Sequence, residues 1–159
     1  MNKNLKGTKI AKSKDIISCS SKDTKEIAEK LFSGLKIKKS KATVVGMYGD
    51  LGTGKTTFIQ HFAKEAGVKK KVHSPTFSIM QRYLLKHKDL KNLFHIDAYR
   101  LKNEKELLSL GWDKILDDPE NLVFIEWPEK VKSIMPKGHH QIHISHTKEG
   151  YRKFKIKKG

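Results

Sequence analysis

The chain has 159 residues, 36% hydrophobic and 32% charged, which supports one modest globular domain with a real core. It contains no apolar run long enough to cross a bilayer, and its single cysteine, Cys19, excludes an intrachain disulfide and a cysteine-based zinc site while fitting a reducing cytoplasm. Formal net charge is +17, from 34 Lys and Arg against 17 Asp and Glu, a field that attracts polyanions, although only Arg82, Arg100 and Arg152 are arginine and base reading favours arginine forks. In chain order, residues 1–14 form a basic leader without an apolar centre, read as a flexible segment and not as a secretory signal, with one domain expected over 15–159. "IISCS" predicts a short edge strand. "DTKEIAEKLFSGL" predicts a helix with a capping box from Asp23 to Glu26 and an apolar face of Ile27, Leu31 and Phe32. "ATVVGMYG" predicts a buried strand, and "KTTFIQHFAKEAG" a helix closed by Gly67. "SPTFSIMQRYLL" predicts a turn and a strand, and "LKNLFHIDAYRL" another strand. "NEKELLSLGWDKIL" reads as helical with a break near Gly111. "NLVFIEWPEK" predicts a strand ending in Glu126, followed by a helix with Pro128 in its first turn. "HHQIHISHT" and "YRKFKIKK", joined by "KEG", predict a C-terminal β-hairpin. Strands mixed with helices point to a three-layer α/β domain with a central mixed sheet.

The stretch Gly49-Asp50-Leu51-Gly52-Thr53-Gly54-Lys55-Thr56-Thr57 carries the spacing G-x-x-x-x-G-K-T. It follows a predicted strand and opens a predicted helix, the context a P-loop requires. Gly49, Gly52 and Gly54 let the backbone turn its N–H groups inward, and the helix adds its positive end. Lys55 would reach the β- and γ-phosphates of ATP, and Thr56 would offer a hydroxyl to Mg²⁺. Thr57 reads as a helix residue near the phosphates. A P-loop also needs a carboxylate on the metal side, and two apolar strands end in one: Glu126 after "LVFI" and Asp97 after "LFHI". Glu126 is the preferred Mg²⁺ or water-orienting group. Asp97 would hold a metal-bound water or position the attacking one. His95 shares its face and could orient it. Thr76, stiffened by Pro75, has the hydroxyl for a switch that senses the γ-phosphate. Arg100 could grip phosphate or a partner.

Four segments together resemble one family: "GDLGTGKTT" at 49–57, "SPTF" at 74–77, "HIDAYRL" at 95–101 and "IEWPEK" at 125–130. They are similar to the TsaE (older name YjeE) family, the P-loop ATPases of bacterial tRNA threonylcarbamoyladenosine synthesis. The resemblance runs from about residue 20 to the end. It implies a weak cytoplasmic ATPase that helps a TsaB–TsaD-like pair attach threonylcarbamoyl to adenosine 37 of tRNAs reading codons that begin with A. It implies that Glu126 is the Mg²⁺-binding carboxylate and that Thr76 and Asp97 belong to switch-like segments. It also implies that Trp127 lies on a functional surface, and that adenine is met by the segment around Ser21 to Thr24 and by the C-terminal region.

Two other readings fit part of the pattern. A small-molecule kinase would share the P-loop, but three arginines leave little for a cationic lid over the phosphates. A nucleotide-regulated RNA-binding module would explain the lysines, and direct or indirect contact with tRNA stays open under either view. No N-K-x-D segment follows the loop to read guanine. His139 and His143 are expected on one strand face and His140 and His146 on the other, an arrangement more in keeping with a histidine-rich strand than with a zinc site.

Overall fold

The computed structural model describes residues 15–75 and 78–159, so the basic leader and Thr76 lie outside the described residues. The first strand, β1, is Ile16–Ser18, and helix α1 is Ser21–Gly34. The cap of α1 stands earlier than the sequence pattern indicates. The Asp23 N–H donates to Ser20 Oγ at 3.1 Å, and the Asp23 carboxylate accepts from the Cys19 N–H at 2.8 Å. The helix is therefore capped by Ser20, with Asp23 reaching back to the Cys19 N–H, and not by a box from Asp23 to Glu26. A serine hydroxyl one residue outside the helix meets the third helical N–H directly, which leaves Asp23 inside the first turn.

Strand β2 is Thr43–Tyr48, buried along nearly its whole length, and α2 is Lys55–Glu65, ended at Gly67, whose φ is +83°. Strands β3, Met80–Leu84, and β4, Asn92–Asp97, form an antiparallel pair. Two short helices follow, α3 at Glu104–Ser109 and α4 at Trp112–Asp117, divided at Gly111 as the sequence predicts. Strand β5 is Asn121–Glu126. The segment after it, Pro128–Ile134, is a helix with Pro128 in its first turn as expected, of 3-10 type and kinked at Val131. Trp127 turns the chain back in the left-handed region, so the segment begins from a tight reversal that favours short i→i+3 turns. The hairpin is β6, His140–His146, and β7, Arg152–Lys157, closed by a Gly150 N–H to Thr147 carbonyl bond of 3.1 Å.

The seven strands make one mixed sheet in the order β1-β7-β6-β2-β5-β4-β3. The four central strands β6, β2, β5 and β4 are parallel, and the edges are antiparallel. Period-two alternation divides the core into two layers. On one face α1 and α2 pack Ile27, Leu31, Phe58, Ile59 and Phe62 against Val45, Met47, Phe124 and Ile144. On the other, α3, α4 and the 3-10 helix pack Leu107, Trp112, Ile115 and Val131 against Val44, Ile96, Val123 and Ile125. This is the three-layer α/β arrangement with a mixed sheet and terminal hairpin that the sequence predicts.

Candidate nucleotide site

In open parallel sheets ligands bind beyond the carboxyl ends of the strands, where neighbouring connections diverge. Strand β2 sits at such a point, with β5 on one side and β6 on the other. Its carboxyl end runs directly into the loop 49–54 and then into α2. At its first residue the loop is so close to β6 that a side chain has no room. Gly49 has φ +144°, and a Cβ there would lie 2.3 Å from the carbonyl oxygen of Ile144. Thr53 Oγ1 donates to the Asp50 carbonyl at 2.9 Å, and Arg152 Nε on β7 donates to the Thr53 carbonyl at 2.8 Å. Leu51 is exposed at the loop tip, and Thr57 is exposed on α2 beside it.

Lys55 is 5% exposed. Its ammonium donates to the carbonyls of Gly49 at 2.6 Å and Asp50 at 2.9 Å, and it lies 4.3 Å from the centre of the Trp127 ring. Burial holds it below the ordinary lysine range, opposed by the carboxylates of Glu126, Asp97, Glu129 and Asp50. Thr56 Oγ1 donates to Glu126 Oε1 at 2.7 Å. The same oxygen lies 2.8 Å from His95 Nε2. A carboxylate only accepts, so Nε2 donates this bond. His95 is fully buried, and among the described residues Nδ1 is a buried side-chain atom without a partner.

Asp97 and Glu126 are cross-strand neighbours at the carboxyl ends of β4 and β5. Asp97 accepts from the Tyr99 N–H at 3.0 Å. Burial raises its carboxyl above the ordinary range and the nearby Glu126 charge adds to this, against the lowering effect of that N–H, His95 and Lys55. Trp127, at φ 58°, is the one non-glycine residue with positive φ among the described residues. Its ring packs on Tyr99 at 5.0 Å while facing the Lys55 ammonium, so it forms an aromatic wall beside the loop.

The fold thus gathers Gly49 to Thr57, Asp97 and Glu126 at one end of the sheet. Sequence reasoning missed three contributors. His95 shares the face of Asp97 as expected, yet its hydrogen bond goes to Glu126. Strand alternation gives a face but does not choose between two carboxylates on it. Arg152 reaches the loop from 99 residues away in sequence, a contact without a local signal. The cation–ring contact between Trp127 and Lys55 depends on the left-handed turn at Trp127, which few residues adopt. Among the described residues no group of three or more His, Cys, Asp or Glu side chains is placed to hold a metal ion. The hairpin histidines have other partners: His139 bonds Tyr48 and the Pro136 carbonyl, and His140 bonds the Lys36 carbonyl.

A family model described as threonylcarbamoyl adenosine biosynthesis protein TsaE matches residues 18–154. The chain belongs to the TsaE family. The Rickettsia bellii protein named tRNA threonylcarbamoyladenosine biosynthesis protein TsaE is 36% identical over 118 residues, covering 74% of this chain and 76% of that one. The Bacillus subtilis protein of the same name is 36% identical over 101 residues, covering 64% of this chain and 60% of that one. The crystal structure of Bacillus subtilis YdiB superposes with a TM-score of 0.67 at 24% identity, covering 96% of this chain and 90% of that one, a likeness of fold. The match to the TsaE model takes in the phosphate loop, both strand-end carboxylates and most of the hairpin.

Proposed function

We propose that residues 15–159 form a cytoplasmic ATPase domain that binds ATP with Mg²⁺, hydrolyses it slowly, and serves the threonylcarbamoylation of adenosine 37 in tRNAs reading ANN codons together with a TsaB–TsaD-like complex. The observation that carries this reading is the 2.7 Å bond between Thr56, at the start of α2, and Glu126, at the end of β5. It puts a hydroxyl and a carboxylate, both hard oxygen donors, beside the loop whose amides would meet phosphate. That donor set suits Mg²⁺, which takes few protein ligands and completes its shell with waters and phosphate oxygens. A bound Mg²⁺ would neutralise charge on the phosphates during transfer.

The chain's own residues would do the rest. Lys55, held here by two loop carbonyls, has an ammonium ready to exchange them for phosphate oxygens. Glu126 is fixed by Thr56 and His95 so that its position does not depend on the nucleotide. Asp97 stands beside it as the group to orient water. In this reading Thr76 is the γ-phosphate sensor. Membership in the TsaE family and the names of its relatives support the role in tRNA modification.

The test is ATP hydrolysis by the full chain, alone and with an active TsaB–TsaD complex and tRNA. The expected result is a low basal rate, marked stimulation by the complex, loss of both in Lys55→Ala and a strong reduction in Glu126→Ala. An unstimulated rate in the presence of active partners would contradict the helper role.

A further inference from the structure

The second helical layer stops short of the hairpin. Its core takes Val44 from β2, Val123 and Ile125 from β5 and Ile96 from β4, but no side chain of β6 or β7. Among the described residues, Ser145, Lys155 and Lys157 on the corresponding face of the hairpin are exposed, and Gln141, His143 and Lys153 are half-buried. Strand β7 turns Phe154 and Ile156 toward α1 and α2, so Lys153, Lys155 and Lys157 project on this open side. Register sets Lys155 opposite His143 and Lys157 opposite Gln141, and His143 in turn lies opposite Tyr48 of β2. The Tyr48 and His143 rings stack at 4.4 Å with planes 9° apart, and the Tyr48 hydroxyl lies 2.9 Å from His139 Nε2.

Beside this stack Lys132, Lys137, Lys157 and Lys158 line a cavity of about 660 Å³, against one lining carboxylate, Glu129. Lys153 is 3.6 Å from Asp15, whereas Lys132, Lys137, Lys155 and Lys157 form no ion pair among the described residues. Burial, with Lys157 and Lys155 adding to it and Glu129 opposing, holds His143 below the ordinary imidazole range. At neutral pH its ring is a flat uncharged surface flanked by unpaired cations.

We propose that this open hairpin face binds single-stranded RNA, with phosphates on Lys132, Lys137, Lys155 and Lys157 and an unpaired base against the Tyr48–His143 stack. Lysines alone would serve any polyanion. Lysines interleaved with stacked rings match a strand that alternates phosphate and base better than they match a run of carboxylates, which brings charge without a ring to stack. The inference does not rest on ATP hydrolysis.

Fluorescence anisotropy with a labelled single-stranded RNA 12-mer and the full chain tests it. Four phosphate contacts predict that log affinity falls with log salt at a slope of about −3. Lys155→Glu/Lys157→Glu should weaken binding at least tenfold and flatten the slope by about 1.4. His143→Ala should weaken it by about tenfold at unchanged slope. Lys69→Glu/Lys70→Glu, the same change in net charge elsewhere, should stay within about twofold of wild type. The milder Lys155→Gln/Lys157→Gln pair keeps the test valid if charge reversal disturbs folding, and an unchanged circular-dichroism spectrum and Tm in each variant report an intact fold. Equal weakening by both lysine pairs would overturn the proposal. So would polyglutamate competing as strongly as RNA with His143→Ala without effect, or no binding of the 12-mer at low salt.

Discussion

Glu126 Oε1 accepts from the Thr56 hydroxyl at 2.7 Å and from His95 Nε2 at 2.8 Å, while among the described residues its neighbour Asp97 accepts from the Tyr99 N–H and has a raised affinity for protons. The two carboxylates are thus differently prepared: one fixed in place, the other buried at an energetic cost. A carboxyl whose folded-state affinity for protons exceeds its unfolded one contributes stability below its unfolded pKa and loses it as pH rises through the folded value. Ionised Asp97 therefore weighs against the folded state at neutral pH. Asp97→Asn should raise Tm at pH 7 to 8, with the gain shrinking as pH falls through the carboxylate range, while partner-stimulated hydrolysis drops about 100-fold. Thermal melts across pH and a rate assay check both halves; a lower Tm at pH 7 would contradict the electrostatic account. Lys55, Thr56, Glu126 and Asp97 were legible in the sequence, because P-loop spacing and a carboxylate after four apolar residues are local signals. The His95–Glu126 bond was not, because it depends on side-chain reach across strands 31 residues apart in sequence.

At the scale of elements, the loop between β2 and α2 is held by packing against the hairpin as much as by its own glycines. The Ile144 carbonyl of β6 occupies the space a side chain at Gly49 would need, and Arg152 of β7 holds Thr53. Gly49→Ala combines a backbone region closed to other residues with this collision. It should cost about 1–3 kcal/mol of stability and at least tenfold in ATP affinity. Gly52→Ala, at φ +79° with nothing within 4 Å of its Cβ, should cost only about 1 kcal/mol. Denaturant melts and nucleotide titration of the two variants separate the cases, and equal effects would show that packing on β6 does not matter. The strands, the hairpin and the break at Gly111 were readable because alternation and turn residues are strong local signals. The start of α1 was misread, because Ser20 and Asp23, three residues apart, compete as caps. The helix after β5 was readable but its 3-10 type was not, since it opens on a left-handed tryptophan that no propensity favours.

For the molecule as a whole, strand order decides where chemistry happens. The alternation of strands and helices gave the three layers, but pairing β2 with both β5 and β6 joins segments far apart in sequence, and no periodicity encodes that choice. That order turns two chain-distant carboxylates and the phosphate loop into neighbours. It also leaves the hairpin's lysine face outside the second helical layer. The gathering of Lys153, Lys155 and Lys157 on one face of β7 follows once Phe154 and Ile156 turn to the core.

In the proposed function Thr56 and Glu126 together tie magnesium to nucleotide binding on the Lys55 loop. Calorimetric titration of ATP into the full chain, with and without Mg²⁺, tests this. Wild type should bind more tightly with Mg²⁺, Glu126→Gln should bind with the same affinity in both conditions, and Lys55→Ala should bind weakly in either. Equal wild-type affinity with and without Mg²⁺, or a Glu126→Gln variant that keeps the full magnesium effect, would contradict it.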